Sequence, residues 1–527
     1  MIGESRECDK FDELLLAVDD LKDQLCQARR RGDPLHVVER DFIRAFVMRA
    51  GRAAVEAYIE LHGKGDLGPV LVSPDGRELD RLEETRSRPY VSLFGPVEIE
   101  RTVYSRGTKQ RETAPLDALL GLPEGKFSFL VQEFGQLLGV DLAWDKTREV
   151  LERILGIRVP VDSLERLNRH MAEDVPEYRD QRKAAPVKQE GAIFVSSADG
   201  KGIVMRQPPS EESSRGSSIV PPQTTGPRPG RKNMSVVGSL YSVDPYVRTP
   251  EQMLEILFRE RPPSEAGSGG GDRPRPAAEP KRPEPCGKHV WAALDGEVFD
   301  TDGSCHTVPG LHTTFQWLAD LWQKRDSQHH KPLVRLMDGE HRLWEAANEH
   351  LPLGGHPGDA DILDIIHVAE YLWDAAVALE THREHQEAFF HSRMGRVLRG
   401  EVDSLIPALR SLATRRQLRG SKLKAVRDAC TYFQNNRDRM RYDRYLAQGY
   451  PIASGAVEGA CRHLVKDRLE RTGMRWVPQG AQAILNLRSL WINDEWDDYQ
   501  KHYTHTELTR LYPDRSSLLK QNRRRLP

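Results

Sequence analysis

Between residues 191 and 379 short apolar segments alternate with longer segments of helical period, and this alternation limits the fold more than any other feature of the chain. The stretch "GAIFVSSADGKGIVM" (191–205) predicts a buried strand that ends in an acid–glycine turn; "KNMSVVGSLYSV" (232–243) and "KHVWAALDGEVF" (288–299) predict two more strands. There follow a helix in "GLHTTFQWLADLWQKR", a strand in "KPLVRLMDGE", a helix in "EHRLWEAANEHL", a strand in "DADILDIIH" and a helix in "VAEYLWDAAVAL". Strands that follow one another directly pair antiparallel, whereas strands separated by a helix pair parallel through a crossover. Residues 207–230 carry six prolines and five serines, and residues 261–287 carry seven prolines and "GSGGG". Both read as flexible, disordered insertions into the early strands rather than as domain boundaries.

The order β-β-β-α-β-α-β-α is that of an RNase H-like domain, in which three antiparallel strands are extended by parallel ones. The fold class expected is therefore α/β: an RNase H-like mixed-sheet core with a helical insertion, preceded by a mainly helical DNA-binding region. Residues 1–85 form an N-terminal helical region, and residues 86–185 a small sheet plus a helix-turn-helix-like segment. In "WDKTREVLERILGIRVPVDSLERLNRHM" one helix stops at Gly156 and a second is capped near Asp162 or Ser163, a pattern shared by any helical hairpin. The core spans 186–375, a basic helical insertion 376–447, a final helix completing the core 448–495, and a basic C-terminal tail 496–527.

Six scattered cysteines with no C-x-x-C pair argue against a zinc finger or a disulfide framework. The first residues lack the basic and apolar regions of a signal peptide, and no apolar run reaches the roughly 18 residues of a membrane span, so a cytoplasmic location without membrane contact is expected. Net charge is −2, yet residues 391–447 hold fourteen Lys and Arg against five Asp and Glu, and the last thirteen residues add five more cations. Concentrated basic blocks in a balanced chain suit a protein that grips a polyanion with part of its surface; solvated helix faces would leave the same trace.

The stretch "GYPIASGAVEGACRHLVKDRLERTGMRW" (449–476) predicts one helix, with Ser454 as N-cap and Gly473 just past its end. Val457, Ala460, Cys461, Leu464, Val465 and Leu469 form its apolar stripe. Glu458 stands beside that stripe, in line with Arg462 and Lys466. It is either the start of a surface ion-pair ladder or a metal-binding acid. In an RNase H-like fold, acids at the ends of the first and fourth strands converge with a third from a later helix. Asp199 and Asp338, each followed by glycine, occupy those strand ends, and Glu458 supplies the third. Three hard oxygen ligands of this kind hold two Mg²⁺ ions on a phosphodiester, with Mn²⁺ as a substitute. Asp364 and His367 form a D-x-x-H at the fifth strand's exit, with Asp364 the alternative second ligand.

Together with "ADGKG", "DGEHRLW" and "DIIHVAEYLW", the 449–476 string resembles the ISKra-type bacterial insertion-sequence transposases, a DDE family, over residues from about 88 to about 493. The resemblance implies that Asp199, Asp338 and Glu458 are the DDE triad, spaced by 139 and 120 residues. It implies a nucleoid-associated bacterial enzyme that cuts element ends and joins the 3′-hydroxyl to target DNA, working on double-stranded DNA as a homo-oligomer. Arg462, Lys466, Arg468, Arg471 and Arg475 would hold phosphates. Trp476 would stack on a flipped base or close the helix end as a core residue. A nuclease without strand transfer and a domesticated DNA-binding regulator remain alternatives; a helical scaffold leaves both "DG" strand ends unexplained.

Overall fold

A run of almost wholly buried side chains sets the first long strand, β1 (Ile193–Val204), which pairs antiparallel along its whole length with β2 (Lys232–Val243). β3 (Cys286–Ala293) extends the sheet beyond β2, again antiparallel. On the other side of β1 lie β4 (Leu333–Met337) and then β5 (Ala360–Leu363), both parallel pairings, so the order across the sheet is β5-β4-β1-β2-β3. All five side chains of β4 are buried, as a parallel strand covered on both faces requires. This computed structural model describes residues 11–72, 76–106, 113–182, 190–206, 232–259, 282–299, 305–471 and 473–523. They fall into two compact units, Arg179–Asp494 and Met1–Tyr178 with Glu495–Pro527.

The helices of the sheet-bearing unit are α1 (Pro250–Arg259), α2 (Gly310–Arg325), α3 (His341–His350), α4 (Ile365–Leu379), α5 (Arg383–Leu398), α6 (Val402–Arg415), α7 (Gly420–Asn436), α8 (Tyr442–Ala447), α9 (Gly455–Ala460) and α10 (Pro478–Ile492). One face of the sheet, through Phe194, Ala198, Leu333 and Met337, packs on Phe315, Leu318 and Trp322 of α2 and on Leu343 and Trp344 of α3. The opposite face, through Ile193, Val195, Val334, Leu336 and Ile362, packs on α4 and the helical block that follows it. The alternation of β1 and β4 between these two cores is the period-two rule of a strand.

Where the fold departs from the sequence expectation, local hydrogen bonding gives the reason. The predicted third strand (288–299) is cut in two: β3 ends at Ala293, and Gly296–Phe299 pairs with Cys305–Val308 as a separate hairpin. Asp295 leaves the ladder there to accept the Gly310 N–H at the start of α2, at 2.9 Å. Helix α1 lies between β2 and β3, where the sequence pattern predicts none. Of the two proline-rich insertions, 207–230 and all but the end of 261–287 lie outside the described residues; Cys286 and Gly287 already belong to β3.

In the other unit, Trp144–Leu155 ends at Gly156 with φ 70°, and the next helix, Val161–Glu173, starts behind Pro160 rather than at Asp162 or Ser163. The segment read as a basic tail is helical over Trp496–Leu511 and Arg515–Arg523, and buries Trp496, Tyr499 and Tyr503. Among the described residues no helix is long and apolar enough to cross a membrane.

Arg335 on β4 is 2% exposed and ties three elements together. It donates to both carboxylate oxygens of Asp361 on β5 (2.6 and 2.8 Å), to Asn348, and to the Ala347 and Leu351 carbonyls at the end of α3. Asp361→Ala would leave this guanidinium buried without its counter-charge. It is expected to cost about 3–5 kcal/mol in urea unfolding; a loss below about 1 kcal/mol would show that the pair does not hold β4 to β5.

Candidate active site

The register of the parallel strands brings the predicted aspartates into one row. Phe194 pairs with Leu333, Val195 with Val334 and Ser196 with Arg335, each across 139 residues, the same interval that separates Asp199 from Asp338. Between β4 and β5 the pairs run from Val334↔Ala360 to Met337↔Leu363, across 26 residues, the interval from Asp338 to Asp364. The Asp364 N–H donates to the Met337 carbonyl at 2.8 Å, carrying that pairing one step past the strands. Asp199, Asp338 and Asp364 are therefore level on β1, β4 and β5. By alternation they belong to the face that packs on α4.

Asp338 stands at the end of its strand as expected, but Asp199 does not. β1 continues through "DGKG" to Val204, with Asp199 opposite Val237 and Gly200 opposite Val236, so no turn exists there. The long β2 partner keeps this stretch extended. The two glycines consequently do different work. At Gly339 an added Cβ would lie 2.2 Å from Tyr432 Cε2, so the backbone after Asp338 fits only without a side chain. Gly200 meets only the flexible end of Met234.

Glu458 comes from α9, a single short helix that passes into a wide π-helical turn (Cys461–Lys466) and a last turn, Asp467–Leu469. The predicted stripe of Val457, Ala460, Cys461, Leu464, Val465 and Leu469 is buried throughout. The ends differ from expectation: the helix stops at Leu469, and Gly473, with φ 81°, lies beyond it. Ser454 makes no side-chain cap; its hydroxyl donates instead to Asp364 Oδ2. The Cys461 thiol donates to Asp199 Oδ2 at 3.3 Å, anchoring the helix to β1 three residues beyond Glu458. On β3, Lys288 donates to the Ala456 carbonyl at 2.9 Å.

Charge is crowded where these elements meet. Burial raises the Asp338 carboxyl above its ordinary range, and the charges of Asp199 and Asp364 push the same way against the Glu340 N–H and His367. Burial also raises Glu458, helped by Asp364 and Asp199, and raises Glu340, helped by Asp338 and Asp199. Asp199 thus acts on all three. Among the described residues Glu458 makes no ion pair, so the ladder with Arg462 and Lys466 is not formed. The acids do not crowd around one point either: the group whose ligand atoms all lie within 4.8 Å of one another is His312, Glu349 and His350.

Asp364 is 0% exposed and its oxygens are engaged, Oδ1 by the Ile366 N–H (2.9 Å) and Oδ2 by Ser454 and by His367 Nδ1 (3.2 Å). Both of its oxygens are thus engaged within the protein. Because an ionised carboxylate only accepts, His367 Nδ1 carries the proton. The bond to Asp364 outweighs burial and takes His367 to about 9, making it the cation among these acids.

The five predicted phosphate contacts divide. Arg462, Lys466, Arg471 and Arg475 are exposed, with Arg462 Nε 3.7 Å from Asp467 and Arg471 donating to the Asp467 carbonyl. Arg468 is fully buried, its guanidinium 4.9 Å from the centre of the Trp476 ring, and so packs the helix end instead of reaching DNA. Trp476 is itself buried and donates to the Leu469 carbonyl, the core role of its two readings. Sequence reasoning missed Cys461 as a contact of Asp199, because a cysteine on an apolar stripe reads as core. It also missed Glu340 and Glu370; the spacings "DGE" and H-x-x-E were the available signals.

The His367 balance has a pH sign. Its pKa is raised from 6.5 to about 9, so the stabilisation it gives is present in full below about 6.5 and is lost as pH rises through about 9. His367→Gln should therefore destabilise the fold more at about pH 6 than at about pH 10 in urea unfolding. Equal losses at both values would mean that the Asp364–His367 bond is not charged.

No protein-family model matches the chain, and no curated protein matches it. Among solved structures the chain is similar to the Drosophila P element transposase strand transfer complex, at 10% identity over 72% of this chain and 81% of that one, with a TM-score of 0.25. So low a score carries no argument about this chain.

Proposed function

We propose that the chain is a DNA transposase of an insertion sequence, built on an RNase H-like core and working by two-metal DDE chemistry. The observation that carries this reading is the placement of acids from three distant segments, Asp199 and Asp338 level on adjacent strands and Glu458 on a helix tied to Asp199 by Cys461. The strand order β5-β4-β1-β2-β3, antiparallel on one side of β1 and parallel on the other, supports the RNase H-like assignment.

The donor set fits a hard divalent ion. Burial and the Asp199 charge push Asp338, Glu340 and Glu458 toward protonation, opposed by His367 at Asp338 and Glu458 and by Arg342 at Glu340, so added positive charge would relieve the site. Asp199, Asp338 and Glu458 would hold two Mg²⁺, or Mn²⁺, which when bound favour the attacking and leaving oxygens of a phosphodiester. The chain's own side chains do the rest. Cys461 orients the Asp199 carboxylate, and Ser454 and Asp364 fix the start of the Glu458 helix against β5. Water's oxygen would bond to phosphorus as the bond to the 3′-oxygen breaks, leaving a 3′-hydroxyl; that oxygen would then bond to a target phosphorus as the target's own bond to its 3′-oxygen breaks and that oxygen takes a proton.

Phosphate contacts fall to Arg462, Lys466, Arg471 and Arg475, and to the basic helical block. None of its fourteen Lys and Arg between 391 and 447 is buried, and ten are exposed. Double-stranded DNA is the substrate, and two element ends would be joined by a homo-oligomer.

The test separates binding from chemistry. Asp199→Asn and Glu458→Gln, assayed at fixed salt on DNA from the borders of the gene, should bind as wild type or slightly better while losing cleavage and joining of pre-cut ends. Full cleavage by Glu458→Gln would remove the helix acid from the mechanism, and cleavage without joining by the wild type would make the chain a nuclease.

A further inference from the structure

On the other side of the sheet, α2 and α3 bring two histidines and a glutamate together. His312 Nδ1 lies 3.0 Å from His350 Nε2, the rings meeting edge to face with centroids 5.3 Å apart. Glu349 Oε2 is 3.4 Å from His312 Nδ1, and Glu349 Oε1 is 3.9 Å from His350 Nε2. Ligands at about 2.0–2.1 Å around a tetrahedral ion stand roughly 3.3–3.4 Å from one another, so the two nitrogens and the Glu349 carboxylate are already near that spacing.

The tautomer of His350 is set from outside the cluster. Gln316 Nε2 donates to the Asp320 carboxylate at 2.9 Å, which turns Gln316 Oε1 toward His350 Nδ1, 3.2 Å away. An amide oxygen only accepts, so His350 Nδ1 carries the proton and Nε2 presents its lone pair to His312 and Glu349. This relay of Asp320, Gln316 and His350 is the arrangement by which metal-binding histidines are oriented. Glu349 and His350 also end α3, where the helix carbonyls favour a cation.

We propose that His312, Glu349 and His350 form a binding site for a first-row transition ion, zinc above all, with its fourth position open to water. Two imidazoles with one carboxylate suit zinc, cobalt or nickel, whereas Mg²⁺ and Ca²⁺ prefer oxygen alone. The ion clamps α2 to α3. Helix α3 in turn holds the Asp338 carbonyl through Trp344 Nε1 at 2.7 Å, so the clamp stiffens the strand end that carries Asp338. The site shares no ligand with the carboxylate site.

The test uses the full chain, stripped by chelator and titrated with Co²⁺. Wild type should develop the strong visible absorption of one four-coordinate Co²⁺, displaced by Zn²⁺, and Zn²⁺ should raise its unfolding temperature. His312→Ala and His350→Ala should lose both the band and the thermal shift, and Gln316→Ala should bind about 10–100-fold more weakly. Asp199→Asn should keep the band at full strength. His312→Gln, which keeps bulk at that position, and far-ultraviolet circular dichroism separate loss of binding from loss of fold. A wild type without the band, or histidine variants that keep it, would overturn the proposal; so would loss of the band in Asp199→Asn.

Discussion

The parallel pairing of β4 between β1 and β5 is the constraint on which the candidate site depends. Every pair of the first ladder spans 139 residues and every pair of the second spans 26, and these intervals carry Asp199, Asp338 and Asp364 into one row. A slip of one residue would turn Asp338 to the opposite face, toward α2 and α3, and leave the other two aspartates alone. Burial on both faces prevents that slip, since Val334 and Leu336 fill one core while Leu333 and Met337 fill the other. Arg335 locks the register by holding Asp361 across the ladder.

Given that row, the rest of the site is an exercise in supporting unpaired charge. Asp364 spends its oxygens on a helix start, a serine and a histidine, and through Ser454 it fixes where the helix bearing Glu458 begins. Cys461 reaches back to Asp199 from the same helix. The wide turn over Cys461–Lys466 keeps Cys461, Leu464 and Val465 buried while Arg462, His463 and Lys466 stay exposed. Such turns interrupt helices most often at functional sites. Asp338 and Glu458 are left with raised protonation tendencies, a cost that folding alone does not repay and that a bound cation would.

Much of this was legible in the chain because apolar periodicity tracks burial. The stripe from Val457 to Leu469, the strands around Val195, Val237 and Leu336, and the helices between them all follow from it. Features set by single polar contacts were not legible. The dipeptide "DG" reads the same at 199 and at 338, yet one is mid-strand beside a long partner and the other is a close approach to Tyr432. Arg468 looks like its exposed neighbours until Trp476 folds over it. Ser454 has the chemistry of a cap and uses it on Asp364, a residue 90 positions away. His312 and His350 are 38 residues apart on separate helices, so no local motif announces their meeting.

The central claim is that Asp199, Asp338 and Glu458 hold divalent ions at one place. Replacing Mg²⁺ by Fe²⁺ and generating hydroxyl radicals at the bound iron cuts the polypeptide near the ion, whether or not the enzyme is active on DNA. In His312→Ala, which removes the second proposed site, cuts are expected in three segments, around residues 199, 338 and 458, all suppressed by excess Mg²⁺ and all lost together when Glu458→Gln is added. Cuts that spare the 458 segment, or that persist unchanged when Glu458→Gln is added, would contradict the claim.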